Sequence, residues 1–101
     1  MDRKEVLETA IQCVCKDREE QYGKPDDNFC VVSDFWTIYL AAIGSPGVII
    51  RSDDVAIMMA LFKLARIATG NSADSFVDLA GYAALAGELA SNWIRGQTDG
   101  N

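Results

Sequence analysis

The sequence predicts an all-α protein, a four-helix bundle of about one domain that assembles as an oligomer. Three observations carry this. Four stretches repeat apolar residues at helical spacing, each is bounded by capping or breaking residues, and half of the 101 residues are hydrophobic, generous for so short a chain. A domain this small has limited interior, so part of that apolar surface is expected to cover a partner subunit.

The first helix is expected from about Asp2 to Glu20. Asp2 with Glu5 forms a capping box, and Val6, Leu7, Ala10, Cys13 and Val14 follow at helical spacing. The run Gln21-Tyr22-Gly23-Lys24-Pro25 stops it. The second is expected from about Asp27 to Ile43, where Phe29, Val32, Phe35, Trp36, Tyr39, Leu40 and Ile43 make a wide apolar face. Gly44-Ser45-Pro46-Gly47 breaks it. Val48-Ile49-Ile50 then reads as an extended connection packed on the core.

The third helix is expected from about Asp53 to Thr69, with Ser52 as its N-cap. Val55, Met58, Met59, Phe62, Leu64, Ala65 and Ile67 cover most of its circumference, which predicts a central position. Gly70-Asn71 ends it. The fourth is expected from about Ala73 to Trp93, with Ser72 or Asn71 as cap. Gly81 and Gly87 interrupt it at about 1 kcal/mol each, which predicts close approach of another helix. The short third connection makes the last two helices an antiparallel hairpin. Residues 1–95 then form a single domain, and 96–101 a frayed polar tail.

Composition narrows function. Nine basic against fifteen acidic residues give a net charge of −6, which disfavours nucleic acid and anionic membrane surfaces as partners. The N-terminal run lacks the apolar core of a signal peptide, and no apolar run approaches a membrane span, so a cytoplasmic location is expected. The three cysteines, Cys13, Cys15 and Cys30, read as free thiols. Cys13 and Cys15 point to nearly opposite helix faces, so they cannot chelate one ion together. The absence of histidine removes Ser-His-Asp and Cys-His catalysis and leaves carboxylates, metal ions, lysine, arginine and tyrosine.

Helical spacing places Asp74, Asp78, Gly81, Leu85 and Glu88 on one side of the fourth helix. Carboxylates so placed hold Mg²⁺ or Mn²⁺ in bundles, although a first-turn acid such as Asp74 also complements the helix dipole. Asp53 and Asp54 invite the same dipole reading at the start of the third helix. Asp54 lies at the far end of the hairpin from Asp74. Lys63 and Arg66, one turn apart in an apolar segment, suggest either a phosphate clamp or an interhelical salt bridge to Asp74 and Asp78. Tyr22, Trp36 and Tyr39 could stack on a base or serve as core aromatics with a wet polar tip.

Three blocks also carry a resemblance. They are Asp17-Arg18 with Tyr22-Gly23-Lys24-Pro25, Asn28-Phe29 and Trp36; Asp54-Val55-Ala56 with Met58-Met59 and Lys63-Leu64-Ala65-Arg66; and Asp74-Ser75-Phe76-Val77-Asp78-Leu79-Ala80-Gly81-Tyr82. Over roughly Cys13 to Glu88 the chain resembles a domain family of unknown function common in phages and prophages, grouped with the all-α NTP pyrophosphohydrolases, the MazG-like superfamily. The resemblance implies a MazG-like bundle, assembly as a homodimer or homotetramer, and Mg²⁺-dependent hydrolysis of a nucleoside triphosphate to monophosphate and pyrophosphate, with Mn²⁺ as a substitute. Active members hold the metal with Glu-Glu-x-x-Glu on one helix and Glu-x-x-Asp on the next. Here Ser75-Phe76-Val77-Asp78 retains only Asp78 of the second motif, and the apolar stretch from Val55 to Phe62 leaves no room for the first. The expected assignment is a metal held by Asp78, with Asp74 or Asp54 assisting, phosphate bound by Lys63, Arg66 and Arg18, and a base stacked on Tyr22 or Trp36. The rival expectation is a catalytically silent helical interaction module. A third is a small-molecule sensor that keeps a pocket without chemistry. The enzyme needs at least two carboxylates converging on a solvent-reachable cavity without cations neutralising both, whereas the module predicts closed salt bridges and no cavity.

Overall fold

The computed structural model describes residues 1–70 and 73–94, without the side chains of Tyr22, Asp26, Asn92, Trp93 and Ile94. The expected caps Asn71 and Ser72 and the tail 96–101 lie outside the described residues. Among the described residues every regular element is helical, in the order α1 (Arg3–Gln12), a π-helical turn (Cys13–Asp17), α2 (Arg18–Tyr22), α3 (Pro25–Ala42), α4 (Ser52–Gly70) and α5 (Ala73–Ile94). No helix among them is long and apolar enough to cross a membrane.

The first rod begins as its sequence dictates. The Asp2 carboxylate accepts the Glu5 N–H, and the Glu5 carboxylate accepts the Asp2 N–H, both at 2.8 Å. The rod is longer than the expected Asp2–Glu20 span, and one turn of it is not α-helical. At the π turn the Arg18 N–H donates to the Cys13 carbonyl, five residues back. Gly23 ends the rod at φ 83°, a conformation that side-chain-bearing residues rarely adopt. Pro25 then opens α3 at its first helical position, two residues earlier than expected. Proline fits there because that N–H has no intrahelical partner.

α4 starts one residue early as well, and Ser52 is not its cap. The Arg51 carbonyl already accepts the Val55 N–H, so Arg51 holds the cap position. The Asp54 carboxylate satisfies the Arg51 N–H at 2.9 Å, and buried Asp53 takes the Arg51 guanidinium at 3.1 Å through both oxygens. Hydrogen bonding to Asp53 is the first cause that holds the Arg51 guanidinium in its charged form.

The core is small. Val14, Phe29, Val55, Ala56, Leu85 and Leu89 form its buried centre, with Val32, Trp36, Ile50, Met59, Tyr82 and Ala86 packed against it. α4 and α5 form the hairpin, the first rod crosses α5, and the beginning of α3 closes one side. Gly81 marks the crossing: a Cβ added there would stand 3.5 Å from the Val14 Cβ. That is the close approach the sequence led us to expect. Gly87 has open space around it, so the same argument fails for it.

Three expectations about burial need correction. α4 is not central, because Ile57, Met58, Leu61, Phe62 and Leu64 are exposed. Its circumference is apolar, but neighbours cover only one side of it. The wide apolar face of α3 is divided: Phe29 is buried, Val32 and Trp36 pack on the core, and Phe35, Tyr39 and Ile43 are exposed. In the Val48–Ile50 connection only Ile50 packs. Its N–H donates to the Thr37 hydroxyl at 2.8 Å and its carbonyl accepts from that hydroxyl, which ties the connection to α3 at one residue. Val48 and Ile49 stay in solvent.

Candidate functional site

The first rod and α5 diverge around the Val14–Gly81 crossing and leave an open cleft of about 210 Å³. Ala10, Cys13, Val14, Asp17, Arg18 and Gln21 supply one wall, a run at helical spacing. Val77, Asp78, Gly81, Tyr82 and Leu85 supply the other. The floor is apolar and the charged groups stand at its edges.

Two carboxylates therefore share the cleft, Asp17 from the π turn and Asp78 from α5. The Asp17 Oδ1 accepts from the Gln12 amide at 3.0 Å. The Asp78 Oδ2 is 3.0 Å from the Lys63 ammonium, with Lys63 19% and Asp78 39% exposed at the side chain. Arg18 is half-buried, its guanidinium 4.9 Å from the Phe29 ring centre and 5.6 Å from that of Tyr82. Contact with both rings makes it less costly to hold in place than a solvent-exposed arginine.

The field of the acids is felt at Cys13. Burial pushes this thiol above its ordinary value, and the negative charges of Asp17, Asp78 and Asp74 push it further in the same direction. The folded state thus holds the thiol proton more tightly than the unfolded state. This contribution to stability is present below the unfolded pKa and is lost as pH rises through the folded one. Cys15 and Cys30 are exposed. Cys13 is therefore expected to be the slowest of the three thiols toward iodoacetamide near neutral pH, and Asp78→Asn is expected to speed it, read by mass spectrometry of timed aliquots. Equal rates for all three thiols would contradict the burial and the charge described here.

The residues singled out from sequence fall in different places. Asp78 and Arg18 line the cleft. Lys63 reaches it through its pair with Asp78. Asp74 is exposed and acts on Cys13 only through its charge. Arg66 is exposed, with its guanidinium 5.9 Å from the Phe62 ring centre, and it is not part of the cleft wall. Asp54 caps α4, nine residues before Lys63 and so roughly 13 Å away along the axis. Trp36 packs on the core and Tyr39 is exposed, so neither enters the cleft. The Tyr22 side chain lies outside the described residues. Among the described side chains the ring that lines the cleft is Tyr82, and the second carboxylate is Asp17. Both stand in the sequence blocks quoted above, but only the crossing of the rod over α5 reveals that they meet.

Among the described residues no three Asp, Glu or Cys side chains converge as a metal-binding group. Two carboxylates in one cleft still suit a Mg²⁺ ion that draws its remaining oxygens from phosphates and water. The donor set fits a cation brought in with a phosphorylated ligand and does not make a closed cage.

Fold and cleft together define, among the described residues, a small helical domain with an open, partly charged cleft. The chain belongs to a family described as a domain of unknown function, DUF6378, whose model matches residues 5–90. It is similar to the Gene 55 protein of Mycobacterium phage D29, 33% identical over 93 residues, covering 91% of this chain and 58% of that protein. It is also similar to the Gene 55 protein of Mycobacterium phage L5, 35% identical over 81 residues, covering 79% of this chain and 49% of that protein. The chain thus spans about half the length of the curated relatives it matches. The phage family of unknown function read from the motif blocks is consistent with these matches. No solved structure matches the chain.

Proposed function

We propose that the chain is a MazG-like nucleotide-binding domain whose ligand sits in the cleft between the first rod and α5. The observation that carries this reading is the meeting of Asp17 and Asp78 with Arg18 and Tyr82 around one open, apolar-floored cavity. Arg18 would take a phosphate through its fork, and Tyr82 offers a ring face to a base. Asp17 and Asp78 would hold a Mg²⁺ ion against the phosphates, with Asp74 adding negative charge nearby. Such an ion supplies charge neutralisation at the phosphates and an activated water for pyrophosphohydrolysis. Lys63 keeps Asp78 neutralised without ligand and would move to the phosphates when the ion takes its place. Arg66 and Asp54 have no part in this version of the site.

A second reading has its own observation. The Lys63–Asp78 bridge at 3.0 Å is what a catalytically silent helical interaction module of phage origin would use to fix its hairpin. The open cleft favours the first reading over the second, because a closed bridge with no ligand needs no cavity beside it.

Thermal melting against a nucleotide panel, with and without Mg²⁺ or Mn²⁺, separates the two. A ligand at 100 times its Kd stabilises by about 2.7 kcal/mol. The expected result is a metal-enhanced rise in midpoint with one nucleotide class, reduced by Arg18→Ala, with the metal-dependent part removed by Asp78→Asn. A flat panel would leave the interaction module as the better account.

A further inference from the structure

We infer that Lys63 is an internal counter-ion that bars a bare divalent cation from the cleft, so that the cation enters only as its complex with a polyphosphate. The inference rests on the nucleotide reading of the cleft and adds a rule for entry to it. Its starting point is where the chain keeps its less exposed charges. Among the described residues, Lys63 and Arg18 are the basic side chains that are not exposed, and both stand at this cleft. The acids that are not exposed are Asp53, Asp54 and Asp78. The first two hold Arg51 at the start of α4. The third lines the cleft, and it is the one that Lys63 holds.

The two carboxylates of the cleft are treated differently. Asp17 accepts from the Gln12 amide at 3.0 Å, an uncharged donor that leaves its charge uncancelled. Asp78 faces an ammonium at 3.0 Å, so its charge is cancelled where a cation would sit. With Arg18, the cleft holds two negative and two positive groups, which sum to zero. A bare Mg²⁺ or Mn²⁺ would have to displace Lys63 and would then repel an ammonium left within a few ångströms. Like charges that close repel appreciably even through water. The Lys63 side chain is 19% exposed, so most of its length is held by neighbours and the displaced head stays near the ion.

A polyphosphate reverses this balance. It brings several negative charges with the ion, and its oxygens give the released ammonium and the Arg18 guanidinium new partners. It also supplies oxygens that two carboxylates leave unfilled around Mg²⁺. The ammonium that excludes the bare ion thus becomes a phosphate contact once the complex is in place. A bridge that serves only to fix the hairpin predicts something else: replacing Lys63 would loosen α4 from α5 and leave cation affinity where it was.

Electron paramagnetic resonance of free Mn²⁺ tests exclusion with the metal alone. Lys63→Met is expected to bind bare Mn²⁺ about tenfold more tightly than the wild type, the effect in a water-like medium of removing one charge 3.0 Å from a carboxylate. Lys63→Gln, which keeps a hydrogen-bond donor without the charge, is expected to gain in the same direction. The gain is expected to vanish in Lys63→Met/Asp78→Asn, which places it in the cleft and not among the other acids of a chain with net charge −6. Calorimetric titration with Mn²⁺–tripolyphosphate tests conditional entry. There the order is expected to reverse, with the wild type binding more tightly than Lys63→Met. Equal affinity for bare Mn²⁺ in the wild type and both variants, or a gain that survives Asp78→Asn, would overturn the role of Lys63 whatever the nucleotide panel shows. An order that does not reverse would overturn conditional entry. A wild type that takes up no tripolyphosphate complex, while Lys63→Met still gains the bare ion, would count against the cleft reading itself and overturn conditional entry with it.

Discussion

Phe29→Ala is expected to destabilise the fold by about 3–5 kcal/mol, read as a lowered urea midpoint at fixed protein concentration. Phe29 is 2% exposed and is one of the two largest side chains fully enclosed by the described core. The cavity left by its ring cannot be filled easily, because its neighbours belong to different helices and each is held by its own rod. Small domains have about 5–15 kcal/mol of stability in total, so the variant should stand near the edge of unfolding at ordinary temperature. The loss also reaches the cleft, because the Phe29 ring is one of the two surfaces against which Arg18 rests. A change below about 1 kcal/mol, at the lower end of core truncations, would mean that Phe29 is not the centre of this core.

The second large effect is expected at Gly81, where the sign depends on the size of the replacement. Gly81→Ala places a methyl group 3.5 Å from the Val14 Cβ, an ordinary contact, and gains helix propensity of up to about 1 kcal/mol. That variant should fold at least as well as the wild type. Gly81→Leu drives a branched side chain into the same crossing. Overpacking of this kind costs about 1–3 kcal/mol, and the side chain has nowhere to go but the cleft that Gly81 lines. Ligand-induced stabilisation should therefore vanish in Gly81→Leu and persist in Gly81→Ala. Equal ligand shifts in the two variants would place the binding surface elsewhere.

Much of the fold is legible in the sequence because it is dictated locally. The Asp2–Glu5 box, the Gly23 break and the Gly44–Gly47 break each act within a few residues, and so the four helical stretches can be drawn from spacing alone. The π turn cannot be read this way. Cys13–Asp17 carries no residue that forbids an α-helical turn, so its extra residue reflects the packing of the whole rod. The misreading of α4 has a different cause. An apolar circumference states that a helix is to be covered and does not say by what, and a single chain of this size has too few helices to surround it. The site is the least legible part. Asp78 stands out through its place beside Gly81. Asp17, Cys13 and Tyr82 matter through a crossing between segments some sixty residues apart, which no local period encodes. Arg66 illustrates the converse: sharing a helix face with Lys63 is not enough, since Lys63 reaches Asp78 while Arg66 stays over Phe62.

The π turn has a bearing on insertions and deletions. A turn that closes over five residues holds one position more than an α-helical ladder needs. Removing any one position from Cys13 to Asp17 would let the first rod run on as unbroken α-helix, with no connection lost. The wider turn also rotates less per residue than an α-helical one, so losing a residue and tightening the turn offset each other, and the rod on either side keeps nearly its present facing. Ala10 and Val14 would still face α5 together with Arg18. A deletion of one residue is therefore expected to be absorbed within this turn, whereas the same deletion elsewhere in the rod would turn its two ends by about 100° against each other.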